Sequence, residues 1–377
     1  MIDIKDKENC CGCNACMNIC PKQAITMEED KKGFKYPVIN KEKCMNCNLC
    51  NKVCPMLRNN NIEKKIEVWA MYNNNIEERI KSSSGGIFTL LAKEVLNKNG
   101  VVFGAMFDDK FNVYHSYIER EEDLYKLQGS KYVQSDIGYS YKKTKEFLEE
   151  DKIVLFTGTS CQIEGLNNYL NKKYRNLYTQ DIICHGVPSP KVWEKYLKYL
   201  KHKNNEKINN ISFRNKDQGW HSFKMKVLFD KKIHSKNHKE DLYMKSFLNN
   251  ICLRDSCYTC KFKKKYRNSD ITLADFWGVD KIAPDMNDDK GISIVIINSE
   301  KGTELFNLIK KQCKYKLANI EEVIKYNSAY VKSVEKNKNR EVFFNNLDNL
   351  EFDKLINKTI PRTKFYKKII NKLKRKS

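Results

Sequence analysis

No stretch of this 377-residue chain approaches the roughly 18 consecutive apolar residues that a membrane-spanning helix requires. The opening "MIDIKDKENCCGC" also lacks the apolar core of a signal peptide, so a cytoplasmic location is expected. Glycine is sparse: neither G-x-G-x-x-G nor G-x-x-x-x-G-K-[ST] occurs, which removes the Rossmann fingerprint and the P-loop. Acidic charge is short as well, with 47 Asp and Glu against 70 Lys and Arg. A net +23 suits nucleic acid, a membrane surface or an acidic partner. No recognised nucleic-acid reader motif accompanies it, so no nucleic-acid partner is expected.

What is abundant is cysteine. Fifteen thiols in a chain without an export signal are read as metal ligands or redox groups, because cytosolic disulfides are rare. Eight form a repeat. Cys10, Cys13, Cys16 and Cys20-Pro21 map onto Cys44, Cys47, Cys50 and Cys54-Pro55 after a shift of 34 positions. Each half reads C-x2-C-x2-C-x3-C-P, the run of two-cluster bacterial ferredoxins, in which the fourth cysteine ligates the other cluster. The spacing therefore assigns Cys10, Cys13, Cys16 and Cys54 to one 4Fe-4S cluster and Cys44, Cys47, Cys50 and Cys20 to a second. Zinc knuckles do not need a duplicated four-cysteine run. Cys11 falls outside the pattern and is read as a spare buried thiol.

Beyond a polar linker at 58–66, short apolar runs alternate with helical ones. "SSSGGIFTLLAKEVLNKNG" is a serine–glycine turn followed by a helix with Ile87, Leu90, Leu91 and Val95 on its apolar face. The runs "VVFGAMF", "VYHSYIE", "KIVLFTG", "LYTQDIIC" and "ISIVII" read as strands, with helices around "YKKTKEFLEE", "EGLNNYL" and "KGTELFNLIKKQ". The expected fold is an α+β dicluster ferredoxin-like domain followed by a larger α/β domain with a mixed sheet. If "KIVLFTG" and "LYTQDIIC" are parallel neighbours, Cys161 and Cys184 lie at the same sheet edge, where such folds bind ligands.

Seven thiols remain outside the repeat: Cys11, Cys161, Cys184, Cys252, Cys257, Cys260 and Cys313. Cys257-Tyr-Thr-Cys260 is a C-x2-C knuckle, and such a pair rarely holds a metal alone. With Cys161 and Cys184 it makes four. By spacing alone this set fits a further iron–sulfur cluster, a zinc site, a thiol–disulfide pair or unrelated buried cysteines. The turn "SSSGG" before a helix is a candidate phosphate cradle, with an ordinary serine-capped helix as the alternative.

Six segments, "SSSGGIFT", "LQGSKYVQS", "VLFTGTSCQIEGL", "DIICHGVPSP", "FRNKDQGW" and "LRDSCYTCKFK…NSDITLADFWGV", occur in an order that resembles the coenzyme F-420 hydrogenase/dehydrogenase beta subunit family. Within it the chain resembles a bacterial branch that accompanies surface-polysaccharide genes. The resemblance runs from about residue 67 to 300 and implies FAD and one further 4Fe-4S cluster in the large domain. It implies Cys161, Cys184, Cys257 and Cys260 as that cluster's ligands, with Cys252 a non-ligand; Ser160 stands where the family commonly has proline. It also assigns Ser82, Ser84, Gly85 and Gly86, and Gly129, Ser130, Lys131, Tyr132 and Gln134, to the flavin pocket, with Lys131 near the pyrophosphate or the isoalloxazine. His185, His221 and Trp220 are further candidates for the pocket lining.

The expected domains are 1–57, a two-cluster ferredoxin domain; 58–66, a linker; 67–335, the FAD and 4Fe-4S binding domain; and 336–377, a basic extension. The expected function is an iron–sulfur flavoprotein oxidoreductase. Clusters carry single electrons and a flavin also exchanges hydride, so the pair joins the two regimes. Coenzyme F-420 or another two-electron substrate is the expected hydride partner; no catalytic residue is assigned. The alternative is an electron-transfer subunit without substrate chemistry of its own, serving a partner enzyme. A redox partner protein or a ferredoxin is expected. Residues 361–377 carry eight Lys or Arg and no acid, with Phe365, Ile369, Ile370 and Leu373 at helical spacing, a candidate contact to a partner or to the inner face of the membrane.

Overall fold

The computed structural model describes residues 1–58 and 63–360. Part of the expected linker and the whole basic tail at 361–377 therefore lie outside the described residues. Among those described, no helix is long and apolar enough to cross a membrane.

The N-terminal module repeats one unit twice. Each motif ends in a single helical turn, α1 (Ala15–Ile19) and α2 (Leu49–Val53), entered through a left-handed asparagine, Asn14 or Asn48. Asparagine tolerates that conformation. Between the motifs, β1 (Ile25–Glu29) and β2 (Lys35–Ile39) pair antiparallel.

The large domain follows. In chain order it contains β3 (Glu67–Asn73), α3 (Ile76–Lys81), α4 (Ile87–Leu96), β4 (Val101–Phe107), β5 (Val113–Ile118), α5 (Ser140–Glu149), β6 (Val154–Thr159), α6 (Ser160–Leu170), β7 (Leu177–Ile182) and α7 (Pro190–Asn204). Next come β8 (Ile208–Asn215), β9 (Lys224–Phe229), β10 (Ile233–Asn237), α8 (Leu242–Leu248), β11 (Ile271–Asp275), α9 (Val279–Ile282), β12 (Ser293–Ile297), α10 (Glu300–Ile309), β13 (Cys313–Leu317), α11 (Ile320–Tyr326), α12 (Arg340–Asn345) and α13 (Phe352–Thr359).

Eight strands form one mixed sheet in the order β13-β3-β12-β11-β7-β6-β4-β5. Its centre, β11-β7-β6-β4, is parallel, and both flanks are antiparallel. Val154, Leu155 and Phe156 in the middle of β6 are fully buried, as expected of a strand covered on both faces. The two strands read as parallel neighbours, β6 and β7, are joined by α6, so their carboxyl ends share one edge. A separate three-stranded sheet, β10-β9-β8, packs over Trp193, Tyr196 and Tyr243.

The ferredoxin module is built into this core. Phe34 and Tyr36, on and just before β2, belong to the same apolar cluster as Trp193, Tyr243 and Phe344. Residues 336–360, read from the sequence as the start of a basic extension, carry α12 and α13, and both pack against the large domain. Phe343, Phe352 and Leu355 are buried, and Arg340 pairs with Asp255 at 3.0 Å. The lysine-rich surface of this segment conceals its apolar stripe in the sequence.

Candidate iron–sulfur and flavin sites

The second ferredoxin motif surrounds a cavity lined by Cys20, Cys44, Cys47 and Cys50, with about 380 Å³ of empty space including its solvent mouth. Cys20 comes from the first motif, the crossed arrangement that the spacing predicts. Backbone N–H groups already point at two of these sulfurs, Ile2 at Cys50 (3.2 Å) and Ala24 at Cys20 (3.3 Å). Such donors stabilise sulfur in its anionic, metal-bound form. Of the thiols the spacing assigns to the first cluster, Cys13 and Cys16 of the first motif and Cys54 of the second are buried, and burial pushes the Cys16 and Cys54 thiols above the usual range. They would therefore bind metal with release of protons.

A larger cavity, about 480 Å³ of empty space with its mouth included, opens at the carboxyl edge of the sheet. Five thiols line it: Cys161, Cys184, Cys257, Cys260 and Cys11. Cys161 sits in the first turn of α6, which the sequence placed further on, around Glu164. The helix starts early because Thr159 and Gln162 form a capping box, with Thr159 N–H donating to Gln162 Oε1 at 2.9 Å. This brings the thiol to a helix N-terminus, whose dipole favours a thiolate, but the neighbouring Cys11 thiol and burial together push the Cys161 pKa well up. Cys184 lies two residues beyond β7, and burial pushes its thiol up to about 12. Val187 N–H points at Cys257 Sγ (3.4 Å). Two cations complete the wall. Lys263 donates to the His185 carbonyl (3.2 Å), and Arg267 bonds Asp181 and Ser160 at 2.8 Å each. Ser160, the departure from proline, thus anchors Arg267. Among the described residues no three His, Cys, Asp or Glu converge on a single-ion position; the thiols stand around a void.

Cys11 is not an isolated spare. It is buried in the cavity wall, with its thiol beside those of Cys13 and Cys161. Two glycines let the modules approach this closely. A Cβ on Gly165 of α6 would lie 3.0 Å from Cys13 Sγ, and one on Gly12 would lie 2.7 Å from Gln134 Nε2. Gly12 also has φ +70°, which disfavours any side chain. Cys252 bonds Ser246 (3.4 Å) and Cys313 is buried on an edge strand; neither lines the cavity.

The expected flavin segments meet through Ser83, inside the assigned stretch "SSSGG" (Ser82 to Gly86). Ser83 Oγ accepts from Ser130 N–H at 2.7 Å and bonds Ser130 Oγ at 3.0 Å. The cradle expectation changes in detail, because the flanking groups are already spoken for. Ser82 Oγ donates to the Glu78 carbonyl, Ser84 Oγ to the Ile292 carbonyl, and Gly85 N–H to Ser293 Oγ. Gly86 is the left-handed N-cap of α4, and Gly129 is exposed. Lys131 Nζ donates to the Leu127, Gln128 and Gly129 carbonyls, and burial lowers its pKa to about 7. Tyr132 stacks on Phe247 at 4.8 Å. Gln134 turns away from this junction: its Nε2 donates to the Cys11 carbonyl and its Oε1 accepts from Arg254.

The segment "FRNKDQGW" holds two residues that were missed, Arg214 and Lys216, besides the candidate Trp220, which the candidate His221 follows. Arg214 reaches Tyr132 Oη (3.3 Å), the Ser83 carbonyl (3.4 Å) and Asp275 (2.8 Å), while its buried Nε has no partner among the described residues. Lys216 donates to the Arg79, Ser84 and Lys290 carbonyls, and burial lowers its pKa to about 7. Trp220 is fully buried and stacked on Trp277 (4.8 Å), with His221 beside it. His185 bonds Asn250 (2.6 Å), so its ring is held in the core side of the cavity loop.

Residues 9–57 match the model of the 4Fe-4S dicluster domain. Two thiol-lined cavities beside such a domain define the class: an iron–sulfur electron-transfer protein of the oxidoreductase type. Residues 151–323 match the model describing the C terminus of the coenzyme F420 hydrogenase/dehydrogenase beta subunit. The chain thus carries the C-terminal domain of that beta subunit behind a 4Fe-4S dicluster domain. Among solved structures, a chain of the xenon-derivatised F420-reducing [NiFe] hydrogenase complex from Methanosarcina barkeri is similar at 17% identity and a TM-score of 0.49, over 75% of this chain and 92% of that one. No curated protein matches.

Proposed function

We propose that the chain is an iron–sulfur flavoprotein in which two ferredoxin clusters and a third 4Fe-4S cluster, held by Cys161, Cys184, Cys257 and Cys260, pass electrons to and from FAD. The observation that carries this reading is the five-thiol cavity abutting the first ferredoxin motif through Cys11. Among the described residues its thiols do not converge on a single-ion position as zinc ligands at ~2.3 Å would, which favours a cubane. Charge supports the same reading. Arg254 is 1% exposed, yet among the described residues its hydrogen bonds go to carbonyl, amide and thiol groups and none to a carboxylate. A buried guanidinium needs a counter-charge, which clusters with four thiolates supply.

For FAD the fitting residues are fewer than the sequence suggested. They are Ser83, Ser130, Lys131 and Arg214, whose orphaned Nε is a donor available to a bound polar group. FAD would supply the change from one-electron to two-electron transfer. Arg214 and Lys131 would bind anionic groups, and Trp277 and Phe223 would border the guanidinium. Gln134 joins the flavin loop to the first motif and so positions one relative to the other.

Anaerobic purification with iron, sulfide and flavin counts tests this reading. About twelve irons and one flavin per chain are expected; about eight irons would remove the third cluster. Reduction by F-420, compared with reduction by a candidate sugar substrate, then separates the F-420 reading from the polysaccharide branch. Failure of both, with flavin bound, would favour the subunit that serves a partner enzyme.

A further inference from the structure

The duplicated motif contains its own comparison. Residues 11–16 of the first copy are all buried, whereas residues 45–48 of the second are all exposed and Cys44 is half-buried. The same chemistry has therefore been enclosed once and left open once. α1 is covered by α5 and α6, with Asn18 donating to the Gly138 carbonyl (2.8 Å), while nothing of the large domain lines the cavity of Cys20, Cys44, Cys47 and Cys50. Met45 and Lys22 line that cavity, and further exposed apolar and basic residues flank its cysteines in the sequence. Met45 is 58% exposed and Val38 43%. Lys22, Lys41, Lys43 and Lys52 are exposed, and none pairs with a carboxylate among the described residues; Asp3 and Glu42 are the acids nearby in sequence. Exposed apolar side chains beside an excess of lysine over acid suit a transient redox interface.

We infer that this face is the docking surface for a small acidic one-electron carrier protein, and that the second ferredoxin cluster is the entry point of a path leading inward through the first motif and Cys11 to the Cys161 cavity. The inference rests on the iron–sulfur reading above and adds the port, its partner's charge and the order of the sites. In each encounter one electron leaves the reduced carrier and one arrives at the thiolate-ringed site; no bond forms or breaks. The lysines raise the encounter rate by attraction, and the exposed apolar side chains let the two redox groups approach without an intervening water layer.

The test uses the full chain and a Lys41→Glu/Lys43→Glu variant, each with iron counted. Both are reduced in a stopped-flow instrument by a pre-reduced, acidic plant-type ferredoxin at about 0.02 M and about 0.3 M salt. The expected result is a variant about tenfold slower at low salt, with the difference closing at high salt. Iron content and reduction by dithionite should be unchanged. Equal rates for the two proteins at low salt would overturn the inference, as would faster reduction of the wild type by a basic cytochrome of matched potential. A concentration-dependent dimer abolished by the same substitutions would assign the face to a second copy and overturn it too. A wild-type chain without iron would instead fail the iron–sulfur reading itself.

Discussion

Arg254 of the large domain holds Cys10 of the ferredoxin module at two points: its Nε donates to the Cys10 carbonyl at 2.7 Å and its Nη2 to Cys10 Sγ at 3.5 Å. The same guanidinium also bonds the Lys35 carbonyl and Gln134, and lies 4.2 Å from the centre of the Tyr36 ring. One side chain therefore joins the first motif, the strand behind it and the loop that carries Gln134. A cation at this position favours the more negative, reduced state of whatever Cys10 ligates. Arg254→Gln should lower that cluster's midpoint potential, by about tenfold in the reduction equilibrium or ~59 mV for one electron. A redox titration followed by EPR checks this, with Arg254→Lys falling between the two and iron content held as the control.

Cys11 contacts a thiol of each module but is placed outside both ligand sets. Cys11→Ser should keep about twelve irons per chain, whereas transfer from the ferredoxin clusters to the flavin should slow, as followed by flavin bleaching after rapid mixing. Loss of four irons would make Cys11 a ligand.

The ion pair between Lys35 and Asp136 at 2.6 Å ties β2 to the loop before α5. Burial works against the Asp136 carboxylate. The Lys35 ammonium, the Gly138 N–H and the Asn14 amide outweigh it and hold the pKa below the ordinary value. A carboxylate depressed in the folded state stabilises that state above its unfolded pKa of ~3.9, and the contribution is lost as pH falls through the folded value. Docking of the ferredoxin module should therefore loosen in acid below about pH 4, seen as proteolytic cleavage between the modules. Asp136→Asn should be less stable at neutral pH by on the order of 1 kcal/mol, discounted for its partial exposure, and should lose this acid dependence.

Among the described residues Lys131 donates its hydrogen bonds to carbonyls alone, and it lies beside the Ser83–Ser130 junction. Lys131→Ala should bind less flavin, measured as flavin per chain after dialysis, without loss of iron. Full flavin content and unchanged reduction kinetics would show that Lys131 only caps its own turn.

The ferredoxin motifs were legible because ligand spacing is a local property: Cys20 reaches the second cavity as the period of 34 implies. The β6–α6–β7 unit was legible for the same reason, since apolar runs and turns lie within one stretch of chain. What escaped depends on distant partners. Nothing near Arg254 in the sequence announces a bond to Cys10, 244 residues away. Ser82 and Ser84 read as free hydroxyls because Glu78 and Ile292 become their acceptors only in the folded chain. β8 to β10 were hidden by polar outward positions: alternation survives in Lys224–Phe229, but its outward sites begin with two lysines. The helices α12 and α13 were obscured by the same basic composition.

The most direct measurement of the central claim is the iron content and EPR spectrum of a Cys161→Ser/Cys184→Ser variant beside the wild type. About twelve irons per chain are predicted in the wild type and about eight in the variant, with the interacting ferredoxin pair still visible and the flavin no longer reduced through it. About twelve irons in both proteins, or about eight in both, would contradict a third cluster at Cys161.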